Sequence, residues 1–384
     1  MTDKPISAKD FMAELMRYRK GSVTRRHFLG VTGLGMATTV LGTAMPGLIT
    51  RPAFAQGSIG DMVVLATWPN YHDPASFEAF TAATGAAVQV NVFGSNEEML
   101  AKLQAGGSGW DVFVPTNYTI TTYVTEKIID PLDLSKLPNY AAASFDARFA
   151  APGTVDGKLY AASKDWGTTG MAVNTGLTGG KTLTTWKEFW DLTMTDFTGR
   201  TTVHDYQLTT IGNALKSFGY SFNSVDPKEL ADAENLLLQV KPHLFAITSD
   251  YQPPMRSGDA WLAMCWTGDG KQLNKDIPEI KYVIGREGGE IWSDFYAIPN
   301  SAPHKDAAYA LINFLLDPAI NYKEAMFHGQ PVADARVNAM MSAEMMADPI
   351  IHPAADLLST LEFGAAATLT NPDRAELMAR FKSA

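Results

Sequence analysis

The apolar positions of this chain switch repeatedly between the period of a strand and the period of a helix. Met62-Val63-Val64-Leu65-Ala66-Thr67 is an apolar run of strand length that stops at Trp68-Pro69-Asn70-Tyr71. Asp73-Pro74 then opens a helix, since aspartate can accept from the free amides and proline fits the first turn. Phe77, Phe80 and Thr81 repeat at helical spacing as far as Gly85, and Val88, Val90 and Val92 alternate as in a strand. Ser95-Asn96-Glu97-Glu98 starts a second helix with Met99, Leu100 and Leu103 inward, and Asp111-Val112-Phe113-Val114 reads as a short buried strand. This alternation predicts a parallel sheet with crossover helices. Ligands bind beyond the carboxyl ends of such strands, where Trp68, Tyr71 and Tyr118 fall.

A second unit of the same kind is expected from about Gly167 to Ile291. Trp186, Phe189, Trp190 and Leu192 give one helix, and Thr201-Thr202-Val203 gives a strand followed by a helix through Ile211, Leu215 and Phe218. Glu229 to Val240 reads as a helix and Trp261 to Trp266 as a strand. Ala297-Ile298-Pro299 and a helix from Ala307 to Leu316 mark a return to the first unit, and from Val332 onward the chain reads as mostly helical.

The N-terminal segment changes the picture of location. Thr24-Arg25-Arg26-His27-Phe28-Leu29 resembles a twin-arginine export signal. Behind it, Gly30 to Thr50 carries no charge, and Ala53-Phe54-Ala55 has the A-x-A cleavage pattern. Cleavage near Ala55 and a periplasmic product are expected. The competing reading is an uncleaved anchor, weakened by Pro46 and by the glycines and threonines of the stretch.

Without residues 1–55 the chain keeps 23 of its 31 basic and 38 of its 41 acidic residues, a net charge near −15. Such a surface disfavours nucleic acid and anionic membranes and favours cationic or neutral partners. Cys265 is the only cysteine, so no intramolecular disulfide can form, and its apolar run predicts a buried structural thiol. His204 reads as a hydrogen-bonding residue without a second histidine at metal-ligand spacing. Met341 and Met345, four apart, read as core packing on one helix face. No metal, cofactor or catalytic group is expected.

Several stretches, in order across nearly the whole mature chain, resemble the spermidine/putrescine-binding receptors of ABC importers. They are Trp68-Pro69-Asn70-Tyr71, Ser95-Asn96-Glu97-Glu98-Met99, Asp111-Val112-Phe113-Val114-Pro115, Gly219-Tyr220-Ser221, Glu287 to Asp294, and Ile312-Asn313-Phe314-Leu315-Leu316. The resemblance implies the two-lobed type II periplasmic binding protein fold, each lobe a mostly parallel α/β sheet, with a hinge of two crossovers near Asp165-Trp166 and Trp292–Asp294. It sets residues 56–165 plus 292–330 in lobe 1 and residues 166–291 plus 331–384 in lobe 2, after a signal over 1–55. A monomer that delivers an amine to an inner-membrane permease is the expected assembly.

The resemblance also implies that Trp68, Tyr71, Tyr118, Trp266 and Trp292 line a cleft, with Asp294 and Asp269 as its acids. Physical chemistry agrees, because a desolvated ammonium needs a carboxylate and indole faces attract cations. Trp292 and Asp294 share a face if extended. This chain departs from the pattern elsewhere. Where polyamine receptors carry acids at the start of the second-lobe helix, it has Tyr206 and Thr209, with only Asp205 acidic nearby. Asn70 stands where an acid can occur, and Gln330 where a tyrosine can. A ligand with one cationic head and a neutral far end follows, with putrescine retained if Asp205 or Glu362 reaches that end. An exported enzyme, or an anion or ferric-ion receptor on the same fold, remains the alternative. Arg256 and Lys271 are the nearest cations for an anion site.

Overall fold

A computed structural model describes residues 59–384. The expected export signal and cleavage site, which fall in the segment 1–55, lie outside the described residues. The strands are β1 (Met62–Thr67), β2 (Ala87–Val92), β3 (Val112–Phe113), β4 (Thr154–Val155), β5 (Lys158–Leu159), β6 (Ala161–Asn174), β7 (Thr201–Val203), β8 (Leu244–Ile247), β9 (Leu262–Trp266), β10 (Ile280–Val283), β11 (Gly289–Ala297) and β12 (Leu361–Phe363). Ten of them form one sheet along the order β2-β1-β3-β11-β6-β9-β7-β8, with β10 on β6 and β12 on β11.

Each lobe contributes a parallel trio to that sheet. In the first lobe β1 pairs with β2 and β3, and in the second β7 pairs with β8 and β9, all parallel. The first-lobe helices begin where local chemistry places them. Asp73 accepts from Ala75 N ahead of Pro74–Thr84, Gly85 closes that helix with φ 84°, and Ser95 accepts from Glu98 N ahead of Asn96–Gln104. In the second lobe Thr185 and Glu188 form a reciprocal cap on Trp186–Met194, whose aromatic face is buried.

The long strands β6 and β11 run antiparallel through both trios and join them. The two expected links are paired side by side: Asp165 stands opposite Asp294 and Gly167 opposite Trp292. The register slips between Asp294 and Phe295, so that Lys164 is the extra residue of a bulge. Two core clusters flank this junction, one around Leu65, Phe80 and Leu311 and another around Phe189, Trp190 and Leu237.

Two features depart from the sequence reading. The tail contains a strand after all: β12 pairs parallel with Gly289–Ile291, and three residues are too few to display a period. The segment 331–358, expected with the second lobe, bonds at three points to elements expected in the first, while its Asp348 pairs with Lys271 of the second. Asp146 N donates to Ala333 O, Arg336 to Asn139 O, and Arg148 to Leu358 O. The helix Pro372–Ser383 packs on second-lobe helices Pro227–Val240 and Gln207–Ser217. Met341 lies outside the short helix Ala343–Met346, so the two methionines do not share a helix face.

Candidate functional site

A cavity of about 590 Å³, partly open to solvent, lies where the two lobes meet. Its walls come from the carboxyl ends of the parallel strands. Trp68, Asn70 and Tyr71 follow β1, Thr116 and Tyr118 follow β3, Tyr206 follows β7, and Trp266 ends β9. Asp269 sits in the first turn of the helix Thr267–Asp276 that β9 feeds. Trp292 and Asp294 project from β11, and Gln330 enters from the loop behind Pro318–His328. All of these line the one cavity.

The aromatic walls are fixed by hydrogen bonds behind them. Trp68 Nε1 donates to Val114 O at 3.1 Å, and Trp266 Nε1 donates to the Tyr206 hydroxyl at 3.2 Å. The Trp68 and Trp266 rings, one from each lobe, approach edge to face with centroids 6.4 Å apart. Trp292 lies over Gly167, where a Cβ would come within 2.4 Å of the indole. Only glycine leaves room for that ring.

Below the cavity is a buried ionic cluster that no motif announces. The Tyr71 hydroxyl is 2.5 Å from Asp165 Oδ1 and 2.8 Å from Asp294 Oδ2. Its single proton can serve only one of those contacts. A second proton must therefore sit on a carboxyl, and burial, followed by the nearby charge of Asp165, pushes Asp294 up to about 8. Lys164 Nζ is 2.6 Å from Asp165 Oδ2 and 3.5 Å from the Tyr71 ring centre. His328 Nδ1 accepts from Gln330 N, which leaves Nε2 to carry hydrogen toward Asp165 Oδ2 at 3.4 Å. Burial and then Lys164 hold that imidazole well below its ordinary pKa, so it is neutral. Asp294 Oδ1, Tyr118 Oη and Trp292 Nε1 are buried with no partner at hydrogen-bond geometry among the described residues. A closed protein leaves such atoms unpaired only at a cost, and each faces or borders the cavity.

Burial also raises Asp269, to about 6, and Glu290, to about 7. Glu290 was not among the residues expected from sequence, yet it lines the cavity with Asn96, Gln272 and His328. The alternation that groups Trp292 with Asp294 reaches Glu290 two residues earlier, so the signal was present. Asn96 is legible only in three dimensions: its Nδ2 donates to Thr116 Oγ1 at 3.1 Å from across the first lobe.

Asp205 is the exception among the expected site residues. Its carboxylate accepts from Ser249 Oγ at 2.5 Å and does not line the cavity. Glu362 is likewise held elsewhere, by Ser221 Oγ, Lys216 Nζ and Phe222 N. Gln330 lines the wall, but its Oε1 is taken by Gly268 N at 2.9 Å, which secures the start of the Asp269 helix. His204 is buried and neutral, with Nδ1 3.0 Å from Thr209 Oγ1, and desolvation lowers it to about 3. Cys265 is fully buried. Among the described residues no cluster of His, Cys, Asp and Glu is arranged to hold a metal ion.

A family model for bacterial extracellular solute-binding proteins matches residues 75–353. The chain belongs to that family. It is 30% identical over 311 residues to the spermidine/putrescine-binding periplasmic protein of Salmonella typhimurium, covering 80% of this chain and 88% of the relative. It is 28% identical over 341 residues to a putrescine-binding periplasmic protein of Pseudomonas aeruginosa, covering 84% and 91%. A solved putative spermidine/putrescine ABC transporter structure from Listeria monocytogenes superposes with a TM-score of 0.77 at 28% identity, over 84% of this chain and 99% of that one. These relatives of the solute-binding protein are transport proteins, and the type II two-lobed fold is theirs as well.

Proposed function

We propose that this solute-binding protein captures a small cationic amine in the periplasm and delivers it to an inner-membrane ABC permease, acting as a monomer exported by the twin-arginine route. The observation that carries the reading is Asp294: a buried carboxyl whose Oδ1 has no hydrogen-bond partner among the described residues, beside Trp292 and within a cavity also walled by Trp68, Trp266 and Tyr118. An ammonium placed there would meet the free oxygen, and the aromatic faces would cover its alkyl chain. Each such face is worth roughly 0.5–2 kcal/mol. The arriving positive charge would displace the proton from Asp294, so binding would release a proton near neutrality. Relatives named for putrescine and spermidine support the amine class.

The alternatives lose their support in the cavity walls. No serine or cysteine nucleophile lines the cavity beside a base, as an enzyme would need. Arg256 is bound to Asp276 and Lys271 to Asp348, and neither lines it. A thermal-shift screen of amines tests the reading. A ligand at about 100 times its dissociation constant adds roughly 2.7 kcal/mol of stability. Asp294→Asn should erase that shift; an unchanged shift in the variant would remove the ammonium from this carboxyl.

A further inference from the structure

The helix after β7, Gln207–Ser217, brings no acid to the cavity, because Tyr206 and Thr209 occupy those positions and Asp205 points away. The structure supplies an acid there from a different element. Glu290, Trp292 and Asp294 alternate along β11, and all three line the cavity. Side chains two apart on a strand share a face. Glu290 and Asp294 therefore flank Trp292 on one wall, with Cα atoms about 13 Å apart at ~3.3 Å per residue. Glu290 stands opposite Thr169, four pairs along from the Asp165–Asp294 pair. Burial raises the Tyr206 and Tyr118 hydroxyls, and Glu290 lies near enough that its charge adds to both.

The surroundings of Glu290 are those of a site awaiting a cation. The residue is 3% exposed. Thr169 Oγ1 donates to Oε2 at 2.5 Å, and among the described residues no lysine, arginine or histidine forms an ion pair with it. A carboxylate buried without a cation is costly, and a purely structural role would be met as well by an amide or an apolar side chain. Tyr206 and Tyr118 cannot neutralise it, since neither carries positive charge. The group exchanges a proton for a cation at little expense because burial already holds it near neutrality.

Resting on the amine reading above, we propose that Glu290 is the specificity-determining acid for the ligand's second end: Asp294 and Glu290 grip the two nitrogens of a diamine or polyamine laid across Trp292. Selectivity for a second cation is thereby moved from the helix after β7 to β11 itself.

Isothermal titration with matched pairs tests this: putrescine against butylamine, and cadaverine against pentylamine. The wild-type protein should prefer each diamine by on the order of 30-fold, the loss expected when one partner of a buried charge pair is missing. Glu290→Gln keeps an acceptor for Thr169 and should bring each diamine and its monoamine to the same affinity, abolishing the preference. Thr169→Val, which removes the supporting hydroxyl without touching the charge, should retain the diamine preference. A wild-type protein that binds both members of each pair equally, or a Glu290→Gln protein that keeps the preference, overturns the proposal while the amine reading stands. Failure to bind any amine sinks both. A thermal melt of each variant confirms that it is folded when titrated.

Discussion

The two ends of the cavity are built in opposite ways. At the Asp294 end, Tyr71, Asp165, Lys164 and His328 surround one carboxyl with a connected set of buried polar contacts. At the Glu290 end, one hydroxyl from Thr169 supports a carboxyl among aromatic rings. A crowded network holds its carboxyl in a single position, because moving any member leaves another buried group unpaired. A sparse one leaves its acid replaceable. On the amine proposal, the head of the ligand would be read by fixed architecture, and the tail by a residue that can change without disturbing the fold.

The severest way to break this contrast is to remove the network's only lysine. Lys164→Met leaves Asp165 buried without its cation, and truncating one partner of such a pair costs roughly 3–5 kcal/mol. Both side chains are almost completely buried, so solvent cannot compensate. The variant should melt far below wild type, whereas Glu290→Gln should melt close to it. Equal melting of Lys164→Met and wild type would show that the network contributes nothing.

Varying pH separates the ends more gently. The unliganded Asp294 carboxyl holds its proton until about 8, well above its ordinary value of 3.8. A group raised on folding stabilises fully below its unfolded pKa and loses that contribution as pH rises through the folded one. Wild type should therefore lose stability relative to Asp294→Asn as pH climbs from about 4 to about 8. Depressed histidines, His72, His204 and His328, act oppositely below their ordinary pKa and are common to both proteins. Amine affinity should rise over pH 6 to 8, with protons released on binding detectable by titration in buffers of different ionisation enthalpy. Affinity that is flat across this window would mean that Asp294 and Glu290 are both ionised before the ligand arrives.

How much of this could be read from the sequence depended on distance along the chain. Asp73-Pro74 and Ser95 placed the first helices because caps act within three residues. Trp68, Tyr71 and Tyr118 stand just beyond strand-like runs, whereas Trp266, Trp292 and Asp294 came from the family resemblance, with strand alternation agreeing for the last two. The ionic cluster was invisible for the opposite reason. Tyr71 meets Asp165 across 94 residues and Asp294 across 223, and the bulge that admits Lys164 is a register shift without a sequence mark. Glu290 directly follows the glycines Gly288-Gly289, which interrupt the strand alternation it shares with Trp292 and Asp294.

Asp205 marks the smallest expected effect and sharpens the far end most. With Glu362 it was one of two acids that could reach the far end if the ligand were putrescine, yet the turn before the helix Gln207–Ser217 directs its carboxylate to Ser249. It is only partly buried, so losing one hydrogen bond there should cost about 1 kcal/mol or less. Asp205→Asn should leave both amine affinity and the diamine preference at wild-type values in the same titrations. A loss of diamine preference in that variant, with Glu290→Gln unaffected, would move the second nitrogen from β11 back to the helix start, and the contrast between a fixed head and a replaceable tail on one strand would no longer hold.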